Sequence, residues 1–172
     1  MSQKLKLYEL PPSPNTWKAR VALKYKGLPF ESVAVNGQDR ASLVEATGQP
    51  LTPVLMQGDT VVYDSAAILR FLDGNYRDTP RLFSSDYDTM KAIEQWEAWG
   101  RTEAVSPVRI MFGQAFAEKK DEAKIKEANE ALATLSQKTE ERLGENGERL
   151  VGKSMTAADV TCACVMGYGV LA

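Results

Sequence analysis

The chain has 172 residues, 44% of them hydrophobic, enough to bury a core in one compact domain or two small ones. A net charge of -2, with basic residues spread among acidic ones, offers no footprint for nucleic acid, and the lack of histidine removes Ser-His-Asp and Cys-His nucleophile pairs and histidine-bearing zinc sites, so no metal is expected. No apolar run reaches the roughly 18 residues needed to span a bilayer. Met1 to Leu10 also lacks the apolar core of a secretory signal, so the expected compartment is the cytoplasm and no membrane partner is expected.

The run KLKLYE alternates and predicts a first strand. Val21, Ala22, Leu23 and Tyr25 form the apolar stripe of a helix that begins near Trp17 and stops at Gly27, and FESVAV, Phe30 to Val35, alternates again. This is a βαβ unit. A short helix is expected near Asp39 to Ala46. PVLM and TVVY, separated by QGD with its Gly-Asp turn, then read as a β-hairpin. Asp64-Ser65 caps the next helix, whose apolar positions are Ala67, Ile68, Phe71 and Leu72.

From Arg77 the pattern changes. RDTPRLF carries Pro80 among polar residues and reads as a linker, and everything after it has a helical period. Two domains follow, 1–77 mixed and 84–172 all helical, joined by 78–83. Ser85 to about Lys119 reads as one long helix bearing Met90, Ile93, Trp96, Trp99, Ile110 and Phe112, kinked at Ser106-Pro107. Asp121 to Leu143 is a second, polar helix with Leu132 and Leu135 as core anchors, and GENGERLVGK is a loop. Thr156-Ala-Ala-Asp159 has the form of a capping box, with Asp159 in place of Glu or Gln and Met155 and Val160 placed as its hydrophobic staple. Cys162 and Cys164, two apart on that helix, point to different sides and read as small buried apolar residues. The same helix continues VTCACVMGYGVLA, apolar on every side, and expects other elements to enclose it.

The β-α-β, β-β-α order, with Thr52-Pro53 opening the third strand and Asp64-Ser65 the third helix, resembles the thioredoxin-like domain of cytosolic glutathione transferases. The TAAD box resembles the capping motif of that family's second domain. The resemblance implies an α/β plus all-α fold: a thioredoxin-like, glutathione-binding N-terminal domain followed by a helical C-terminal domain. Further helices cover the Thr156 helix in the family, so the second domain reads as truncated, or as covered by a partner. SPNTWKAR resembles the serine-type transferases, most of all a fungal class in which SPNTWK recurs, and more distantly the tau and zeta classes.

Glutathione's thiol has a pKa of roughly 8.5 to 9, so little thiolate exists at neutral pH unless the protein stabilises the anion. A hydroxyl donor at a helix N-terminus does this without a proton acceptor. Ser13 is placed for that role and Tyr8 is its competitor. Ser13 as a plain turn residue is the alternative from local chemistry alone, and Asn15 or Thr16 would cap the helix. No cysteine lies at this turn, which excludes mixed-disulfide chemistry there. Thr52-Pro53 resembles the cis-proline site that pairs with the tripeptide backbone, although Thr52 departs from the branched apolar residue often found there. Asp64 and Ser65 resemble the γ-glutamyl site, and Arg40, Gln49 and Lys18 are unranked candidates for the glycyl carboxylate. The electrophile pocket is expected between the domains, with Val105, Arg109, Phe112 and Phe116 on its wall. The implied activity is conjugation of glutathione, as co-substrate, to small hydrophobic electrophiles in detoxification, by a homodimer. The alternative is a non-catalytic module of the same fold that binds glutathione or a hydrophobic ligand, or serves as a dimerisation scaffold.

Overall fold

The structure, a computed structural model, describes residues 3–171, with side chains through residue 167. Alternation sets the first strand: in β1 (Leu5–Glu9), Leu5, Leu7 and Glu9 are buried on one face while Tyr8 lies half-buried on the other. β1 pairs in parallel with β2 (Phe30–Ala34) and antiparallel with β3 (Val54–Gln57), which pairs antiparallel with β4 (Thr60–Tyr63). The sheet order is β2-β1-β3-β4. β3 and β4 meet through Gly58, whose φ of 58° is open to glycine and strained for other residues.

α1 (Pro14–Tyr25) and α3 (Ser65–Asn75) pack on each other, burying Ala19, Ala22 and Leu23 from the first and Ile68, Leu69 and Leu72 from the second. The stripe on α3 differs from expectation by one position, since Ala66 is buried and Ala67 is exposed. α2 (Ala41–Thr47) inserts Leu43 into a cluster with Val35 and Val54, against which Tyr8, Met56 and Val61 pack. α1 also starts three residues earlier than Trp17, because Pro14 occupies its first position, where no backbone donor is required.

The first unit runs to Leu82, and residues 80–82 are bound into it. Asp73 of α3, 2% exposed, accepts hydrogen bonds from Lys26 Nζ at 3.0 Å, Arg81 Nε at 2.8 Å and the Leu82 amide at 2.8 Å. Lys26 also donates to the Pro80 carbonyl at 2.9 Å. Burial pushes the Asp73 carboxyl up, but the Leu82 amide, Lys26 and Arg81 together outweigh it and hold the group below the usual carboxylate range.

The second unit is helical throughout its regular elements: α4 (Tyr87–Thr102), α5 (Val105–Ala115), α6 (Glu122–Asn146) and α7 (Ala157–Leu171). The expected single helix over Ser85–Lys119 is two helices, and the break falls at Glu103-Ala104 instead of Ser106-Pro107. Pro107 cannot donate to the carbonyl of residue 103 and its ring crowds that carbonyl, so the damage appears four residues upstream while Pro107 itself sits in the first turn of α5. Asp86 and Asp121 cap α4 and α6 through their carboxylates. α6 buries Ala128, whereas Leu132 and Leu135 are only half-buried and are not the core anchors expected. α4 and α7 approach closely at Gly100, where an added Cβ would lie 3.0 Å from Thr161 Cγ2 and 3.3 Å from Cys162 Sγ.

Asp159 acts as the carboxylate half of the capping box. Its Oδ2 accepts from the Thr156 amide at 2.7 Å and from Thr156 Oγ1 at 2.9 Å, and its Oδ1 accepts from the Leu150 amide at 2.8 Å, which ties the preceding loop to the helix start. Cys162 and Cys164 are buried thiols, not joined in a disulfide. The side chains of the last apolar turn of α7, for which enclosure was expected, lie outside the described residues. Among the described residues no helix is long and apolar enough to cross a membrane.

Candidate functional site

Two helix starts in the first unit bring together most of the candidate site residues. After β1 the chain turns through Pro11 and Pro12, and the Ser13 amide donates to the Leu10 carbonyl at 2.9 Å. Trp17 Nε1 donates to the Pro11 carbonyl at 2.8 Å and pins the turn from the helix side. Ser13 is the N-cap of α1 with extended backbone, φ -84° and ψ 128°, and its carbonyl takes the first helical bond from Trp17 N at 3.1 Å. Its hydroxyl makes no capping bond. The half-buried Ser13 therefore presents an Oγ–H at a helix start whose backbone amides and dipole favour an anion.

At α3 the cap is Asp64, not Ser65. The Asp64 carboxylate accepts from the Ala66 amide at 2.7 Å and the Ala67 amide at 3.2 Å, with a backbone φ of 71° that few non-glycine residues adopt. Ser65, buried at the first helical position, donates its hydroxyl to Asn15 Oδ1 at 3.4 Å. Lys18 Nζ donates to the same oxygen at 3.1 Å. Neither Asn15 nor Thr16 caps α1, as either was expected to do. Asn15 instead joins the first turns of the two helices, and Thr16 is fully buried with a hydroxyl that meets no hydrogen-bond partner.

Thr52-Pro53 is a cis peptide bond. Pro53 is buried and Thr52 half-buried at the entry to β3, beside β1. The turn before it is shaped by Gln49, whose Oε1 accepts from the Leu51 amide at 2.9 Å and whose Nε2 donates to the Leu51 carbonyl. Thr47 Oγ1 donates to the Leu43 carbonyl at 2.7 Å and the Gln49 carbonyl at 3.2 Å. Both ends of the Gln49 amide are thus engaged. Lys18, 3% exposed, faces Asn15. Arg40, at the start of α2, keeps a buried Nη1 with no hydrogen-bond partner, so of the three candidate cation or amide groups it is the one with an unspent buried donor. Tyr8 is half-buried in the cluster around Leu43, on an interior strand.

In the second unit Val105, Arg109, Phe112 and Phe116 all lie on α5 or at its end, at spacings that place them along one face. Val105 is half-buried and Arg109 exposed, and Phe112 and Phe116 stand edge to face with centroids 4.9 Å apart, 40% and 76% exposed. The residues that sequence reasoning missed are the Asn15 bridge and the Asp73–Lys26 pair. Neither carries a local signal, because each depends on a partner about 50 positions away in the chain.

The family description "Glutathione S-transferase, N-terminal domain" matches residues 7–80. The chain is 32% identical over 154 residues to glutathione S-transferase F10 of Arabidopsis thaliana, covering 83% of this chain and 71% of that protein. It is 38% identical over 88 residues to glutathione S-transferase Z2 of the same plant, covering 49% of this chain and 39% of that one. Its fold matches the crystal structure of a glutathione S-transferase from Rhodospirillum rubrum with a TM-score of 0.85 at 24% identity, over 95% of this chain and 77% of the other.

Proposed function

Because the chain belongs to the glutathione S-transferase family, we propose that it conjugates the glutathione thiolate to small hydrophobic electrophiles, with Ser13 as the thiol-activating residue. The observation that carries this reading is the Ser13 hydroxyl, left uncapped at the start of α1 and adjoining, through Asn15, the start of α3. The thiol releases its proton to solvent. Ser13 Oγ–H then donates to the sulfur anion, which together with the helix dipole lowers the thiol pKa without any proton-accepting side chain. The sulfur's electron pair forms the new C–S bond, and the electrophile either expels its leaving group or takes up a proton at the adjacent carbon.

The remaining groups hold the tripeptide. Thr52, ahead of Pro53, offers backbone groups to pair with the cysteinyl residue in strand fashion. The α3 start, with Asp64 and Ser65, receives the γ-glutamyl end, and Arg40 with its unspent Nη1 takes the glycyl carboxylate. Gln49 shapes the Thr52 turn, and Lys18 acts from behind Asn15. We assign the electrophile-binding role to the α5 face of Val105, Arg109, Phe112 and Phe116. The SPNTWK run supports a serine-type assignment, nearest the fungal class that carries it. A cytoplasmic, homodimeric detoxification enzyme completes the reading, and light scattering over a dilution series tests the dimer.

The deciding experiment combines retention on immobilised glutathione with conjugation assays on a panel of electrophiles, for wild type, Ser13→Ala and Tyr8→Phe. Retention with turnover that Ser13→Ala lowers by about 10- to 1,000-fold is the expected result. Loss in Tyr8→Phe alone would transfer the role to Tyr8, and retention without turnover in the wild type would make the chain a binding module.

A further inference from the structure

On the second unit α4 and α6 leave an open groove of about 220 Å³, lined by Gln95, Trp96, Trp99 and Lys138. None of the four belongs to the α5 face assigned to the electrophile. The walls of the groove are indoles. Trp96 and Trp99 meet edge to face with ring centroids 5.3 Å apart, and Trp96 is only half-buried, so a flat ring can be laid on it. The polar groups are short of acceptors. Lys138 Nζ lies over both rings, 4.6 Å from the Trp99 centroid and 5.6 Å from that of Trp96, and makes no ion pair with any described residue. Glu141, one turn further along α6, accepts from Gln137 Nε2 at 2.8 Å instead. Trp99, 6% exposed, keeps a buried Nε1–H without a hydrogen-bond partner. An exposed lysine ordinarily holds its ammonium out in water. Here the charge rests on two aromatic rings and has no counter-ion of its own, so a complementary occupant supplies a ring for the indoles and a negative acceptor for the ammonium. The volume, below the roughly 300–1,000 Å³ of a drug-sized pocket, limits that occupant to one or two rings.

We propose that the α4–α6 groove is a binding site for a small, flat aromatic carboxylate, whose ring stacks on Trp96 while its carboxylate pairs with Lys138. Trp96 is the platform and Trp99 the wall beside it. Lys138 selects the charge by moving from the indole faces to the carboxylate. An organic cation is disfavoured, because the lysine ammonium already occupies the aromatic faces that would attract it. The site goes beyond the conjugation reading and does not depend on it.

The test is titration of the full chain with β-naphthoate, with its neutral isostere β-naphthamide, and with cyclohexanecarboxylate, an anion that lacks a flat ring. Binding is followed by calorimetry and by the indole N–H signals of the proton–nitrogen correlation spectrum, each tryptophan being assigned by substitution. Wild type is expected to bind β-naphthoate about tenfold or more tighter than either control, with shifts of the Trp96 and Trp99 signals and none of Trp17. Lys138→Met keeps the apolar stem and removes the charge at an exposed position, so the melting temperature should hold. It should weaken β-naphthoate about tenfold while β-naphthamide changes less than about threefold. Trp96→Leu should weaken both naphthyl ligands. No binding of β-naphthoate, equal binding of all three ligands, unchanged β-naphthoate affinity in Lys138→Met, or binding that leaves the Trp96 and Trp99 signals unmoved overturns the proposal. Glutathione takes no part in these titrations, so failure here and failure of the conjugation reading are separate results.

Discussion

Replacing Asp73 with asparagine tests how the last residues of the first unit are held. The Arg81 side chain is 51% exposed, so its pairing with Asp73 contributes little in water. The Leu82 amide can still donate to an asparagine Oδ1. The loss is therefore concentrated on Lys26, whose side chain is fully buried: its ammonium can still donate to the retained Oδ1 and to the Pro80 carbonyl, but it loses the negative charge that compensates it. Removing one member of such a buried pair costs about 3–5 kcal/mol, a large share of the roughly 5–15 kcal/mol that holds a domain folded. Asp73→Asn with Lys26→Met should recover much of this, since no unpaired charge then remains inside. Urea unfolding followed by backbone amide exchange within residues 3–82 reads the first unit by itself. A loss below about 1 kcal/mol in the single variant, or a double variant no more stable than the single, would refute the argument. The pH dependence has a definite sign. Asp73 titrates lower in the folded chain than in the unfolded one, so its contribution is fully present above the unfolded value of about 3.9 and disappears as pH falls through the folded value. The difference between wild type and Asp73→Asn should hold steady at neutral pH and shrink in acid.

Two further expectations concern caps and close packing. Asp64→Ala removes the bonds to the Ala66 and Ala67 amides and should cost about 0.5–2 kcal/mol, whereas Ser65→Ala should leave the melting temperature nearly unmoved and weaken glutathione binding; a larger thermal loss in Ser65→Ala than in Asp64→Ala would reverse the cap assignment. Gly100→Ala drives a methyl group against Thr161 and Cys162 and should destabilise the second unit by about 1–3 kcal/mol in thermal melts, with an unchanged melt arguing that α4 and α7 can separate freely.

Which features could be read from the sequence follows from the range of the interaction behind each. The strands, the Gly58 hairpin and the α3 start are local: period-two alternation, a positive-φ turn and a side-chain oxygen near two free amides are all contained within a few residues. The helix break was displaced because proline acts on the carbonyl four residues before it. Residues 80–82 read as linker because their composition is polar, while the group that holds them, Asp73, owes its place to Lys26 47 positions earlier. The same limit applied to the site. Ser13, Thr52-Pro53 and Asp64-Ser65 are turn chemistry and stood out as such, but nothing in the spacing of Gln49 or Lys18 showed that each was already engaged, the one with Leu51 and the other with Asn15.

The two helix starts are treated differently, and the difference separates structure from chemistry at Ser13. α3 is closed by its own Asp64 carboxylate, so its stability does not wait for a ligand. α1 has a serine at its cap position whose hydroxyl is withheld from its own amides, although serine is among the best capping residues and the missing bond is worth about 1 kcal/mol. If Ser13 served the helix, Ser13→Ala would lower the melting temperature of the free protein. Because no capping bond is made, the substitution should leave that temperature nearly unchanged and act only once glutathione is bound, by raising the pKa of its thiol. The pH profile of thiolate absorbance in the complex, set beside melts of the free chain, distinguishes the two. A lowered melting temperature with an unchanged thiol pKa would return Ser13 to the role of a turn residue.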